Sequence, residues 1–462
     1  MSSAVPAPPV MDDDSASDAD DAPTVGTVDD AAAQARSAAN RKKKEKKKAA
    51  AARKKAAAAA TAAAGPASDA PWGVVAAGRE LGVPSRERDG QRVIGGACDG
   101  FVAIGQTYPP TVPVVDLFVS GRCPMGQEIP YADESNAART TSEERRAADR
   151  AQHGDALAAL REAAECHRQV RKYAQSIIKP GIRLVDMCEA IEETNRRLVR
   201  EAGLARGIAF PTGCSINHVA AHYTPNPGDD TVLRYGDVMK VDFGTQVAGR
   251  IVDCAWTVAF DPTFDPLLEA VKAATEAGIR AAGIDARLGE IGAAIQEVME
   301  SHEVTLGTTA HTVRSIRNLN GHSIDPYRIH AGKSVPIVRT ADSTKMEEGE
   351  HYAIETFGSI AGHAYVVEEG ECSHYMRTWD RAPRGPVTAP RAKALLRDID
   401  RTFSTLAFCP RWLERPDGGS ATVNAGKQER YIGSLNQLCS LGYVNKYPPL
   451  VELKGAYTAQ YE

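Results

Sequence analysis

Two aspartates on a short alternating segment constrain this chain more than anything else in it. Residues from Lys240 to Gly244 and from Arg250 to Ala255 alternate polar and apolar side chains, and Gly249 sits in the connection between them. Alternation at period two marks a half-buried strand, and two such runs across a short connection make an antiparallel hairpin. A symmetric turn near residues 247 and 248 sets Asp242 directly opposite Asp253. Directly opposed residues have Cβ atoms about 4.5–5.5 Å apart. Carboxylates at that spacing in a half-buried sheet repel each other and need a compensating cation. One divalent ion would serve, and two ions about 3.5–4 Å apart sharing a carboxylate would serve better. The competing reading points both aspartates at water, as most are. A bulge at the turn would shift the register and remove the argument.

With 462 residues, 43% of them apolar and 25% charged, the chain can bury at least one full core. Its net charge of -5 matters less than its distribution. Asp12, Asp13, Asp14, Asp18, Asp20, Asp21, Asp29 and Asp30 precede a basic run from Arg41 to Lys48, and Arg53, Lys54 and Lys55 follow among alanines. Residues 1–70 have almost nothing to bury, cannot offset their ordering entropy, and are expected to be disordered. The basic run suits salt-dependent attachment to a polyanion such as ribosomal RNA, and a plain solvated tail fits equally well. Residues 71–104 show no clear period and read as an irregular linker. The nine cysteines form no CxxC pair, which favours reduced thiols over a disulfide framework or a thiolate zinc site. There is no run of about 18 apolar residues and no basic-then-apolar leader, so no membrane partner and a cytoplasmic location are expected.

Ordered sequence is expected from Gln106. A capping box at 141–144 and helical spacing of apolar residues to Ile178 predict one helix, stopped by Pro180 and Gly181. A second is expected over 185–202, and two more after Asp265 and Leu288. Strands are expected over 238–243, 251–260 and 352–357. Blocks of helices and strands in this order point to an α+β domain with antiparallel sheet. Residues 377–442 turn helical, at 389–408 and 431–441, and read as an insertion, because strand-like sequence resumes at Tyr443.

A cation at the hairpin would need further ligands. His322 follows a loop, and Glu355 lies in an alternating strand; each is weak by itself. Carboxylate-rich ligation with a lone imidazole suits Mn(II), Fe(II) or Co(II) better than a thiolate zinc site. His218 and His222 are four apart, but the residues between them lack the glutamate of HExxH, and Pro225 and Pro227 argue against a helix there.

Nine segments then resemble, in the same order, the type 2 methionine aminopeptidases: Ala209-Phe-Pro-Thr-Gly-Cys-Ser215, Ala221-His-Tyr-Thr-Pro-Asn226, Val241-Asp-Phe-Gly-Thr245, Arg250-Ile-Val-Asp-Cys254, Arg317-Asn-Leu-Asn-Gly-His322, Tyr327-Arg-Ile-His-Ala-Gly332, Ala353-Ile-Glu-Thr-Phe357, Cys372-Ser-His-Tyr375 and Tyr457-Thr-Ala-Gln-Tyr-Glu462. The resemblance runs from Gln106 to the end. It implies a pita-bread α+β fold of two pseudo-symmetric halves with metals between them. Residues 1–105 would be tail and linker, 106–376 the catalytic domain, 377–442 the helical insert, and 443–462 a return to the catalytic domain. The final strand would be cut short at Glu462, since the family continues past that glutamate.

Carried over by position, the resemblance implies metal ligation by Asp242, Asp253, His322, Glu355 and Glu462, holding two divalent ions (Co, Mn, Fe or Zn). His222 and His330 would flank the cleft, and Phe210, Ile329, His374, Tyr447 and Leu450 would form the methionine pocket with them. The implied reaction removes the initiator methionine from nascent polypeptide N-termini whose second residue is small, by a hydroxide bridging the metals. Glu355 would move the proton, His330 would donate to the developing oxyanion, and His222 would contact substrate near the scissile peptide. A ribosome or a translation initiation factor is the partner implied for residues 1–70. Two other readings stay open here: a non-catalytic pita-bread protein that binds the translation machinery through its tail, and an Xaa-Pro peptidase of the same fold.

Overall fold

The computed structural model describes residues 85–88, 91–98, 101–118, 121–127, 155–415, 420, 423 and 431–462. The tail and the capping box at 141–144 lie outside the described residues. Strands β1 (Ser85–Arg88), β2 (Gln91–Cys98) and β3 (Phe101–Tyr108) pair as an antiparallel meander. The β2–β3 register shifts between Ile94 and Gly96. The expected onset of order at Gln106 thus falls inside β3. Gln106 itself is buried and donates to Gln169 Oε1 at 2.8 Å.

Helices α1 (Val114–Leu117), α2 (Asp155–Ile177) and α3 (Leu184–Val199) come next. Along α2, Ala159, Ala163, Cys166, Val170 and Ala174 recur every three or four residues and are all buried, the stripe that turns a helix face toward a core. Gly181, at φ 94°, makes the tight reversal into α3. Helices α2 and α3 cover the sheet of β4 (Arg206–Ile216), β6 (Val238–Val247) and β7 (Arg250–Ala259), in the order β4-β6-β7, with β5 (Val219–Ala221) between β4 and β6 in the chain. One core joins Val170, Ile191 and Leu198 to Val241, Phe243 and Trp256.

The second half repeats the scheme. Helices α4 (Asp265–Ala281) and α5 (Leu288–Met299) are followed by β8 (Glu303–Leu306), β9 (Thr309–Thr312), β10 (Arg314–Ser315), β11 (Asn320–Ile324), β12 (Ser334–Pro336), β13 (His351–Ala353), β14 (Thr356–Ser359), β15 (Val366–Glu368) and β16 (His374–Arg377). Leu267, Val271, Ile291 and Ile295 of the two helices share a core with Val335, Ile337 and Phe357. Then come α6 (Pro390–Thr402), β17 (Ala407–Phe408), α7 (Pro410–Leu413), α8 (Tyr431–Ser440), β18 (Val444–Tyr447), β19 (Leu450–Glu452) and β20 (Thr458–Tyr461). The helices α6 to α8 have their own core, including Leu395, Ile399, Trp412 and Leu438. This is the mixed helix-and-sheet pita-bread arrangement that was expected.

Three expectations need correction. The helix expected over 389–408 stops at Thr402, because Ser404 takes a left-handed φ of 51°, and residues 407–408 pair with β16 as a strand. The strand expected over 352–357 is broken at Ile354 and Glu355 into β13 and β14. The hairpin turn is centred one residue later than expected. Val247 pairs with Arg250, so Asp253 faces Gly244 and Asp242 faces Ala255. The two aspartates are diagonal neighbours rather than direct partners. Because the displacement is two residues, both stay on one face of the sheet.

The turn residues explain that register. Ala248 and Gly249 have φ of 52° and 77°, and two positive-φ central residues are the requirement of a type I′ turn, whose twist suits a tight hairpin. A Cβ on Gly249 would lie 2.3 Å from Tyr327 Cε2, and Gly249 O accepts the Tyr327 N–H at 2.9 Å. Replacing Gly249 by Ala should therefore cost about 1–3 kcal/mol through backbone strain and crowding of the ring. The urea midpoint of the metal-loaded protein measures this, and an unchanged midpoint would reject the turn argument.

Candidate metal centre

Four carboxylates from four chain segments meet one imidazole beside this hairpin. Asp242 comes from β6 and Asp253 from β7, side by side on the same face. His322 sits in the middle of β11, where it pairs with Ala353 of β13. Gly321 lets β13 come close: a Cβ there would lie 2.5 Å from Ala353 O. Glu355 occupies the break between β13 and β14, which frees its side chain from the ladder. Glu462 follows β20, and its N–H donates to Ala255 O of β7 at 3.0 Å.

Strand β20 ties the two halves together at this point. It pairs with β14, Thr356 opposite Tyr461. Its Gln460 exchanges two 2.8 Å hydrogen bonds with Thr257 Oγ1 of β7. The Gln460 amide then donates to Asp242 Oδ2 at 3.1 Å and to Glu355 Oε2 at 3.2 Å, joining a carboxylate of each half.

His322 Nε2 lies 3.7 Å from Asp253 Oδ2 and 3.5 Å from Glu355 Oε1. These are not ion pairs, because burial and the neighbouring His330 hold the His322 pKa down to about 3. Its Nδ1 lies 3.4 Å from Ser323 O, the tautomer that leaves the Nε2 lone pair facing the carboxylates. Ligand atoms of Asp253, His322 and Glu462 all fall within 4.8 Å of one another.

The charge here is unbalanced. Burial raises Asp242 from 3.8 to about 6. Burial, then the charges of Asp242 and Glu355, pushes Asp253 well above the usual carboxylate range. Glu355 is raised by burial and by Asp242, and Glu462 by burial followed by Asp253, Glu355 and Asp242. The buried amine that lines the same pocket, Lys240, is no counter-charge: it donates to Asn217 O at 2.8 Å, and burial pushes its own pKa well down. Asp242 Oδ1, Asp253 Oδ1 and both side-chain oxygens of Glu462 are buried without a hydrogen-bond partner among the described residues. Buried, like-charged, unpartnered oxygen donors with one neutral imidazole fit hard or borderline divalent cations.

The pocket over this cluster is lined by Asp242, Asp253, His322 and Glu355 at its floor and by Phe210, His222, Ile329, His330, His374, Tyr447 and Leu450 along its walls. Of the expected site residues only Glu462 is absent from the pocket lining, although its carboxylate lies within 4.8 Å of ligand atoms of Asp253 and His322. The His330 ring meets His322 edge to face at 4.4 Å, and the His222 ring lies 5.7 Å from Tyr447 and 6.1 Å from His374. Burial, then His374 and His330, holds His222 down to about 3, so it is neutral at pH 7. His222 follows the short strand β5 and is not helical, in keeping with the rejection of a zincin helix. Sequence reasoning missed Gln460, Met376, Ala407 and Lys240. Gln460 was within reach, since it shares a strand face with Glu462 at period two. Ala407 carried no signal, being hidden in an apparent helical run.

An acidic centre with one imidazole, held where two helix-covered sheets meet, defines a pita-bread metallopeptidase. Consistent with this, the profile of Metallopeptidase family M24 matches residues 158–377. A solved structure of a thermophilic Arx1 shares the fold, with a TM-score of 0.51 and 17% identity over 65% of this chain and 84% of that one. Methionine aminopeptidase 2 of Dictyostelium discoideum is 56% identical over 77% of this chain and 78% of its own length. Methionine aminopeptidase 2A of Arabidopsis thaliana is 55% identical over 77% and 78%, and methionine aminopeptidase 2 of Schizosaccharomyces pombe 56% identical over 77% and 80%. The chain belongs to the type 2 methionine aminopeptidases.

The unbalanced charge has a measurable consequence. With its pKa raised on folding, Asp242 holds its proton more tightly in the folded state. Its contribution to stability is complete below about pH 3.9 and is lost as pH rises through about 6. Chelator-treated protein should therefore lose on the order of 2–3 kcal/mol between pH 4 and 7 from this group. Saturating Mn(II) at pH 7 should restore it by mass action. Urea titrations at both pH values, with and without metal, measure the effect. A metal-free stability that rises from pH 4 to 7 would contradict this charge balance.

Proposed function

We propose that this metalloaminopeptidase, which removes the initiator methionine, holds two divalent cations on Asp242, Asp253, His322, Glu355 and Glu462. The observation that carries this reading is the convergence of four buried carboxylates that no cationic side chain neutralises among the described residues. Carboxylate-rich ligation with one imidazole favours Mn(II), Fe(II) or Co(II), with Zn(II) also compatible. When bound, the cations supply Lewis acidity that polarises a peptide carbonyl at neutral pH.

The side chains of the chain do the rest. Glu355, with a pKa already raised by burial and Asp242, accepts a proton from the attacking water and passes it to the leaving amine. His330, beside His322, donates to the oxyanion that develops on the scissile carbonyl. Neutral His222 hydrogen-bonds the scissile peptide. The methionine side chain packs against Phe210, Ile329, His374, Tyr447 and Leu450, and Met376 and Ala407 complete that wall. Thioether and aromatic faces attract each other, so the pocket suits sulfur as well as methylene groups.

Substrates are nascent polypeptides with an exposed N-terminal methionine. No described helix is long and apolar enough to cross a membrane, and the proposed place of action is the cytoplasm. The basic run at 41–55 is proposed to attach the enzyme to a polyanionic surface of the translation machinery, such as ribosomal RNA.

Protein loaded with Co(II) or Mn(II) should release methionine from a Met-Ala-Ser peptide and leave Xaa-Pro dipeptides intact. Asp242→Asn should lower kcat/KM by about 10³-fold, corresponding to the several kcal/mol that metal-centred charge stabilisation contributes. Retained activity in that variant at full metal occupancy would reject the assignment.

A further inference from the structure

We propose that Arg411, delivered by the short helix α7, is a positioning residue for His222. The proposal rests on the reading of His222 as a substrate-contacting group. His222 has a φ of 64°, a left-handed conformation that a non-glycine residue keeps only where its surroundings over-determine it. Strand β5 fixes the chain just before it, with Ala221 paired to Leu450. Beyond it, Cys214 N–H of β4 donates to Tyr223 O at 2.8 Å, and Pro225 has no N–H of its own to anchor.

Arg411 holds the two residues after Tyr223. Its Nη2 donates to Thr224 Oγ1 at 2.9 Å and its Nε to Pro225 O at 2.8 Å. The remaining face of the guanidinium is locked on Glu192 of α3, with Nη1 to Oε2 and Nη2 to Oε1, both 2.9 Å. Glu192 also accepts Trp412 Nε1 at 2.7 Å and the Thr212 N–H of β4 at 3.3 Å. The side chains of Arg411 and Glu192 are 6% and 1% exposed. A second arm closes on the same loop from the base of β16. Ser373 Oγ accepts the Thr224 N–H at 3.1 Å and donates to His222 O at 3.3 Å.

A buried ion pair is weak evidence for stability, because an apolar pair of the same volume usually does as well. What an apolar pair cannot do is hold a carbonyl and a hydroxyl of a neighbouring loop at set distances. Nor can lysine, whose single ammonium lacks the planar fork. The fork makes one rigid unit of α3, β4, α7 and the segment that follows His222. On this view the helical stretch between β16 and β18 is part of the active-site framework, although it supplies no ligand.

The test is a double-mutant cycle on the metal-loaded full chain, with Arg411→Lys and His222→Ala alone and combined. Arg411→Lys should lower kcat about 10–100-fold, the range for residues that orient a functional group from outside, with KM changed by less than about threefold. In the His222→Ala background the same substitution should have almost no further effect. Ser373→Ala, which leaves the buried pair intact, is the second variant and should show a smaller kcat loss that is likewise absent without His222. Bound metal and thermal midpoint are measured for each protein. Equal losses with and without His222 would overturn the proposal by showing that Arg411 acts structurally. If His222→Ala alone leaves kcat unchanged, the functional reading of His222 fails. In that case an Arg411→Lys variant whose His222 ring resonances match the native protein overturns the positioning role, and displaced resonances support it.

Discussion

Crowding of negative charge is the constraint around which this molecule is organised. Burial raises the pKa of Asp242, and burial together with neighbouring carboxylates raises Asp253, Glu355 and Glu462, while the backbone keeps all four from moving apart. The hairpin holds two of them on one sheet face, a break in a strand presents the third, and β20 brings the fourth against β7. Gln460 spans the gap between halves with one amide group. A chain would not preserve this repulsion unless a cation relieved it, and oxygen donors left without partners point the same way.

The fold supplies rigidity in proportion. Each half buries one stripe of a helix pair against an antiparallel sheet, so β6 and β7, which carry the two aspartates, and β14, which follows Glu355, are backed by packed cores. Groups that need only approximate placement, such as the apolar pocket wall, come from scattered elements, including β17, the end of β18 and the start of β19. Groups that need exact directions are fixed by hydrogen bonds: His322 through Ser323 O, the His222 loop through Arg411 and Ser373.

Much of this was legible from residues alone where the pattern is local. Alternation exposed the hairpin and its two aspartates, and helical spacing located α2 to α5. The register could not be read, because nothing in the identity of Ala248 announces a positive φ, and the turn slid by one residue. The break at Glu355 is invisible for a related reason: the residues continue to alternate while the backbone leaves the ladder. Glu462 entered only through family resemblance, and His322 and Glu355 were weak candidates until it placed them, since their approach to the hairpin is a tertiary fact. The pair of Glu192 and Arg411, 219 residues apart, had no signal at all. Its members lie on separate helices, and only packing reveals them as a buried unit.

The bridge made by β20 also sets a schedule. Cys254, next to Asp253, meets Glu462 across a sequence separation of 208 residues. At about 5–20 residues per second of synthesis, the hairpin carboxylates wait on the order of 10–40 s for the strand that completes their site. Contacts of such long range are among the last to form. During that interval the aspartates stand in a half-built, open sheet where water can still solvate them. Closure of the carboxylate cluster is therefore a late event in the folding of the chain, coupled to docking of β20 rather than to formation of the hairpin. An enzyme that acts on the N-termini of other proteins thus has a cluster that its own synthesis completes only once β20 has been made.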